Sequence, residues 1–289
     1  MKIDGRKIAL ELEKPLKADI NKLNDQGITP HLAVILVGKD KSSINYVRQK
    51  LKIGRKLKIK IRLYRYNLTL TPEVLINLVN SLNKDKKVHG IIVQRPVTIQ
   101  IPSDAINNAV YPEKDVDGFH PDSCFDPPVA LAVNEILRFI YKVKLSGKNK
   151  TETADYSGWL KKKKILLIGR GETAGKPIAK YFNKIGLRFT IAHSQSRNIK
   201  KLSRISDIVI PCVGKPNIVR HDMLKKSAAI IGVGLHPEND KLKPDYNQAE
   251  MEKSAGFYTP VPGGVGPVNV VMLMRNTVLA AKKTVNFDF

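Results

Sequence analysis

The chain has 289 residues, enough for one large or two medium domains with proper cores, and its 42% hydrophobic content excludes a disordered tail. Two cysteines far apart in sequence exclude a disulfide framework and fit a reducing, cytoplasmic setting. The formal charge of +24 is spread along the whole chain without zinc-finger spacing, basic-region heptads or an aromatic–basic RNA motif, so neither a specific nucleic acid nor a metal is expected as a ligand.

The N-terminal run lacks the uninterrupted apolar segment of a signal peptide, and no apolar run reaches the roughly 18 residues of a membrane span, so no membrane partner is expected. The first strand is predicted from His31 to Gly38, followed by helix over Ser43 to Lys56, which Gly54 is expected to end early. A second strand follows in KIRLYRYNL. Thr71, Pro72 and Glu73 supply an N-cap, a first-turn proline and an early acid, so a helix starts there and runs to about Lys84. GIIVQ, Gly90 to Gln94, is a buried strand. PPVALAVNEILRFIYKV reads as one connecting helix, and SGKNKTETADYSG as a polar loop. A second α/β series then opens with KILLIG and continues in RFTIAH, DIVIPCVG and AAIIGVGL. The apolar stretch from Gly266 to Lys283 closes the chain as a helix. Strands alternating with helices predict an α/β fold of parallel sheets.

Gly169-Arg170-Gly171-Glu172-Thr173-Ala174-Gly175 follows a predicted strand and precedes a helix. Glycines there let the backbone turn tightly against a pyrophosphate, at a helix start that favours an anion. The spacing is G-x-G-x-x-x-G, against the usual G-x-G-x-x-G. About 20 residues on, where an acid would bind the ribose hydroxyls of NAD, stand His193, Ser194, Gln195, Ser196 and Arg197. Together with Arg170 these donors suit a 2′-phosphate, so the expected cofactor is NADP.

Tyr46 and Lys50 are four residues apart and share one helix face. Burial or nearby charge would lower the lysine pKa from about 10.4 and make Lys50 a proton carrier near neutrality. Tyr/Lys pairs at this spacing occur on many helices, so the surrounding motifs decide. IDGRKIA, PHLAVILVGKDKSSINYVRQK, GIIVQRPV, PEKDVDGFHP, GRGETAGKP and TPVPGGVGP follow one another in the order and spacing of the bifunctional methylenetetrahydrofolate dehydrogenase/cyclohydrolase family, which the chain resembles from Ile3 to about Ala281.

The resemblance implies roles. Lys50 matches the catalytic lysine, Tyr46 a tyrosine packed beside the folate, and Gln94 a glutamine that hydrogen-bonds the lysine. Asp117 matches the aspartate that grips the pterin ring. Pro262, Gly263 and Gly264 match a loop lining the folate site. Gly169, Arg170, Gly171, Gly175, His193 and Ser194 fall at the cofactor, with Arg170 and Ser194 near its 2′-phosphate. The resemblance also implies a homodimer formed through the cofactor domains and a folate substrate, polyglutamylated as folates often are. The expected architecture is two α/β domains. Residues 1–125, completed by a C-terminal helix at 266–289, form the folate domain; 126–149 connect; 150–265 form a Rossmann-like NADP domain, with the active site in the cleft between.

Departures from the family pattern concentrate in the second domain. Gly171 stands where the family has serine. Gly232 stands where it has aspartate, in Gly232-Val233-Gly234. Lys243-Pro244-Asp245-Tyr246 stands near its G-D-V-D-F segment, and Asn269 replaces a threonine. Near the catalytic lysine, Arg95 replaces an apolar residue beside Gln94. Two other readings therefore stay open on the residues: a cyclohydrolase with weak or lost dehydrogenase activity, and a non-enzymatic basic binding protein on the same fold.

Overall fold

The computed structural model describes residues 1–97, 99–146, 155–239 and 241–285. Most of the expected polar loop, 147–154, and the domain boundary placed at 149/150 lie outside the described residues. The chain forms two compact units, Met1–Ala9 with Val129–Asn269, and Leu10–Pro128 with Val270–Phe289.

Helix α1, Gly5–Asp25, leads into the unit that contains Lys50. There β1 (His31–Val37), α2 (Lys41–Leu57), β2 (Lys60–Tyr66), α3 (Pro72–Lys84), β3 (Gly90–Val93) and α4 (Ser103–Ala109) alternate. The three strands form a parallel sheet in the order β2-β1-β3. All seven residues of β1 and all four of β3 are buried, as strands covered on both faces must be, and this is why they read as unbroken apolar runs. β2 lies at the edge, has no fully buried residue, and exposes Lys60, Arg62 and Arg65. Thr71 caps α3 as expected, accepting from Val74 N.

Gly54 does not end α2, which runs on to Leu57 and stops at Lys58 in the left-handed conformation. The glycine has another purpose. A Cβ on it would lie 2.2 Å from Cδ1 of Ile61, so Gly54 is the point of close approach between α2 and β2.

The other unit contains α5 (Pro128–Leu145), α6 (Tyr156–Lys161), β4 (Ile165–Ile168), α7 (Gly175–Lys184), β5 (Phe189–Ala192), α8 (Ile199–Ile205) and β6 (Ile208–Pro211). It continues with β7 (Ala229–Ile230), β8 (Leu235–Glu238), β9 (Lys241–Pro244), α9 (Gln248–Ser254) and β10 (Phe257–Tyr258). Its five-stranded parallel sheet has the order β10-β7-β6-β4-β5. That order reverses between β4 and β6, the place where doubly wound folds bind their ligands. β8 and β9 form a separate antiparallel hairpin. Helix α10, Val265–Val285, ends the described chain. No helix of the described residues is long and apolar enough to cross a membrane.

The units differ from the division expected from sequence in three places, one of them residues 266–269, which fall in the unit of the second sheet. Residues 1–9 belong with the second sheet: Ile3 N donates to Tyr258 O at 2.8 Å, and Lys2 forms a parallel bridge with Tyr258. α5 is part of that same unit from Val129 onward, where Tyr156 Oη donates to Asn134 Oδ1 at 2.8 Å and the rings of Tyr141 and Trp159 lie 5.2 Å apart. The strand read in AAIIGVGL shortens to two residues. Past Ile230 the backbone still bonds β6, Ile231 N to Val209 O at 2.9 Å and Val233 N to Pro211 O at 3.0 Å, while Gly232 N donates to the Thr259 hydroxyl at 2.8 Å.

Candidate active site

Lys50 lies on the buried face of α2 and is only 3% exposed. A lysine taken out of water needs partners, and Nζ donates to Gln94 Oε1 at 2.9 Å and sits 4.9 Å from the centre of the Tyr46 ring. Burial holds its pKa below the ordinary lysine value, and the nearby Asp117 carboxylate opposes part of that fall. Gln94 is positioned by the end of β3, where its N–H bonds to Ile35 O at 2.8 Å and its Nε2 to Arg95 O at 2.9 Å. With the amide nitrogen so engaged, the amide oxygen faces the lysine.

Asp117 sits in the turn after Asp115. Burial pushes its carboxyl above the usual range, while Lys50 and Arg95 pull it back down. The turn is built by Asp115, which is 3% exposed and accepts from Gly118 N at 3.2 Å and His120 N at 2.7 Å. Burial raises the Asp115 carboxyl to about 6 against those hydrogen bonds. From α10, Asn276 Nδ2 donates to Val116 O and Asp126 O, both at 2.9 Å, and fastens the same segment. Lys50, Tyr46, Gln94 and Asp117, singled out separately in the sequence, thus form one cluster. A buried amine of lowered pKa beside an aromatic face and a carboxylate can carry a proton and accept paired N–H donors.

In the other unit, Gly169 follows β4 with φ of +112°, and a Cβ on it would lie 2.8 Å from Cys212 O, beyond the end of β6. A Cβ on Gly175 would lie 2.3 Å from Gly169 O. Only glycine permits a turn this tight at the reversal point of the sheet, which fits the approach of a pyrophosphate. Gly171 has open space where a Cβ would stand, so its missing serine leaves room and no collision. β4 and β5 pair Ile168 with Ala192, so Arg170 and Ser194 leave the sheet from neighbouring strand ends, and both are exposed. His193 is fixed in the turn, its N–H on Ser196 Oγ at 3.0 Å and its Nδ1 accepting from Gln195 N at 3.3 Å. Pro262, Gly263 and Gly264 belong to this unit, and Gly263 O accepts from Gly5 N at 2.8 Å.

Three residues gained meaning only from the structure. Asp115 was legible merely as part of a motif, although Asp-x-x-Gly is an Asx-turn signature. Asp245, fully buried, accepts from Val213 N, Gly214 N and Lys215 N at 2.7, 2.9 and 3.0 Å and so holds the loop after β6. Tyr246 explains Gly232: a Cβ there would lie 2.7 Å from the phenol ring, whose hydroxyl donates to Thr259 O. The aspartate missing at 232 is thus replaced by packing from the next segment.

A parallel α/β unit with a buried lysine, joined to a doubly wound unit with a glycine turn at its reversal point, defines a two-domain α/β protein with a dinucleotide-binding domain. The tetrahydrofolate dehydrogenase/cyclohydrolase catalytic-domain model matches residues 3–117, and the NAD(P)-binding domain model of the same name matches residues 152–285. The bifunctional protein FolD of Staphylococcus aureus (strain Newman) is 37% identical over 296 residues, covering 99% of this chain and 98% of that one. The bifunctional enzyme FolD of Campylobacter jejuni superposes with a TM-score of 0.87 at 32% identity, over 98% of this chain and 99% of that one. The methylenetetrahydrofolate dehydrogenase-cyclohydrolase of Trypanosoma brucei, solved with NADP cofactor and inhibitor, gives 0.86 at 32% identity over 99% and 98%. The chain belongs to the tetrahydrofolate dehydrogenase/cyclohydrolase family.

Proposed function

We propose that this protein oxidises 5,10-methylenetetrahydrofolate to 5,10-methenyltetrahydrofolate with NADP, and hydrolyses the product to 10-formyltetrahydrofolate. The observation that carries the reading is the Lys50 cluster, a buried amine held by Gln94 and Tyr46 and electrostatically tied to Asp117. NADP supplies, when bound, the acceptor for a hydride leaving the methylene bridge. Gly169, Gly171 and Gly175 would hold its pyrophosphate, and Arg170, His193 and Ser194 its 2′-phosphate end.

Asp117 accepts the paired N–H donors of the pterin and fixes its orientation, Tyr46 packs beside the ring, and the loop at Pro262, Gly263 and Gly264 lines the folate. In the hydrolysis, water adds to the methenyl carbon and Lys50 takes the proton it loses. The adduct's hydroxyl then gives up its proton as the bond from that carbon to N5 breaks. N5 gains a proton, and the formyl group stays on N10. One proton is released overall. The lowered pKa of Lys50 lets it act as a base nearer neutrality than a free lysine. Gln94 holds the amine in place between turnovers.

The protein acts in the cytoplasm as a homodimer and takes polyglutamylated folates, whose acidic tail suits a chain of net charge +24. The test is to give the purified protein methylenetetrahydrofolate with NADP or NAD, and separately methenyltetrahydrofolate alone. Oxidation with NADP and hydrolysis without cofactor are expected. Hydrolysis alone would reduce the protein to a cyclohydrolase, and neither reaction would overturn the reading.

A further inference from the structure

Arg95 follows Gln94 in the loop between β3 and α4, and its guanidinium is fixed from several sides. Nη2 donates to Asn107 Oδ1 at 2.6 Å, Nη1 reaches Ser103 Oγ at 3.4 Å, and the group lies 5.7 Å from the centre of the Phe119 ring. Its backbone is pinned too, the carbonyl accepting from Gln94 Nε2 at 2.9 Å and Ser43 Oγ at 3.1 Å. Arg95, Asn107, Phe119 and Asp117 line one pocket. The loop that carries the partner of Lys50 therefore also brings a second cation to the carboxylate.

The chemistry gives that cation a task. A base must lose its proton before it can take one. Each time Lys50 is neutral, Asp117 loses the lysine's charge and stands in surroundings that favour its protonated form. A protonated carboxyl no longer accepts two N–H donors. A guanidinium does not deprotonate in this range, so its charge persists through every stage of turnover.

We propose that Arg95 is a positioning residue that keeps Asp117 ionised while Lys50 cycles between its charged and neutral forms, separating substrate recognition from proton transfer. This rests on the folate reading above. The charged groups facing Asp117 are Lys50 from α2, Arg95 from the loop after β3 and Asp115 from its own turn; Asn276 of α10, which fastens that turn, is neutral. The two cations draw the Asp117 carboxyl down against the effect of burial.

The experiment compares wild type, Arg95→Leu and Arg95→Lys in two readouts. The first is KM and kcat for methenyltetrahydrofolate hydrolysis as a function of pH across the acid and neutral range, since burial moves the carboxyl upward. The second is the titration of the Asp117 carboxyl by carbon NMR, assigned with Asp117→Asn. Arg95→Leu should raise KM progressively as pH falls, toward a limit of about tenfold set by a one-unit pKa shift, and leave it nearly unchanged at alkaline pH, with kcat within about twofold. Its Asp117 midpoint should move up by about one unit, and Arg95→Lys should recover most of both effects. A KM change of equal size at every pH, a loss confined to kcat, or an unmoved Asp117 titration overturns the proposal. If the wild type does not hydrolyse the substrate, the folate reading fails, and the NMR titration still decides the effect of Arg95 on Asp117. If Arg95→Leu does not fold, Arg95→Gln replaces it in both measurements.

Discussion

At the scale of single residues, the cost of burying Lys50 is met by one amide oxygen, one ring face and one carboxylate. The same carboxylate is expected to hold the pterin. Asp117→Ala should weaken folate binding by roughly 10²-fold, the worth of a charge-assisted pair of hydrogen bonds, and leave cofactor binding unchanged. Titration calorimetry with folate and with NADP separates the two, and an unchanged folate affinity would reduce Asp117 to a turn residue. Arg170 and Ser194 leave adjacent strand ends and both are exposed, and no acid stands in the sequence from His193 to Arg197. NADP should therefore be preferred over NAD by about tenfold or more, since one charged contact outweighs a lost neutral hydroxyl. Arg170→Ala with Ser194→Ala should erase that preference and leave hydrolysis standing. Equal use of NAD and NADP by the wild type would contradict it.

At the scale of elements, the base of β1 and β3 hides two histidines. His31 N donates to His89 Nδ1 at 3.1 Å, and both rings are buried. Burial lowers the His89 pKa from 6.5 to about 4, helped by His31 and Lys114 and opposed by Asp85. A histidine whose folded pKa is depressed binds its proton more readily in the unfolded chain. Its contribution is thus fully present above pH 6.5 and is lost as pH falls toward 4. His31 is lowered in the same sense. The urea midpoint should drop between pH 7 and pH 5, and His89→Gln should flatten that drop; parallel pH curves for the two proteins would acquit the histidine. These strands were legible because a strand buried on both faces is apolar throughout, and α3 because Thr71 and Pro72 mark its start. α1 was not, because Pro15 reads in sequence as a break, although the helix runs through it, and the buried face is only Ile8, Leu16, Ile20 and Leu23 with a few neighbours. β10 is two residues long, too short for any periodicity, and the strand read in AAIIGVGL keeps only the two residues of β7. Gly54 misled because a close approach to Ile61 looks in sequence like a helix breaker. Motif residues were visible one by one. Among their supports, Asp245 and Tyr246 were hidden because they act through backbone contacts with other segments, while Asp115 acts inside its own turn and shows only as an Asx-turn pattern.

At the scale of the whole molecule, two α/β units of one family divide the work. One carries the buried Lys50 cluster and the other the glycine turn of a dinucleotide-binding domain. A net charge of +24 favours acidic ligands in general, an effect that salt screens over about 10 Å at 0.1 M. The central claim is that the amine of Lys50 moves the proton in hydrolysis. It is tested most directly by the initial rate of methenyltetrahydrofolate hydrolysis, without cofactor, for wild type and Lys50→Met, with folate binding measured on the same samples. Methionine keeps length and apolar bulk and removes the proton carrier. The rate should fall by at least roughly 10²-fold, the scale of a general acid–base group, with binding retained; a Lys50→Met protein that hydrolyses at the wild-type rate would contradict the account.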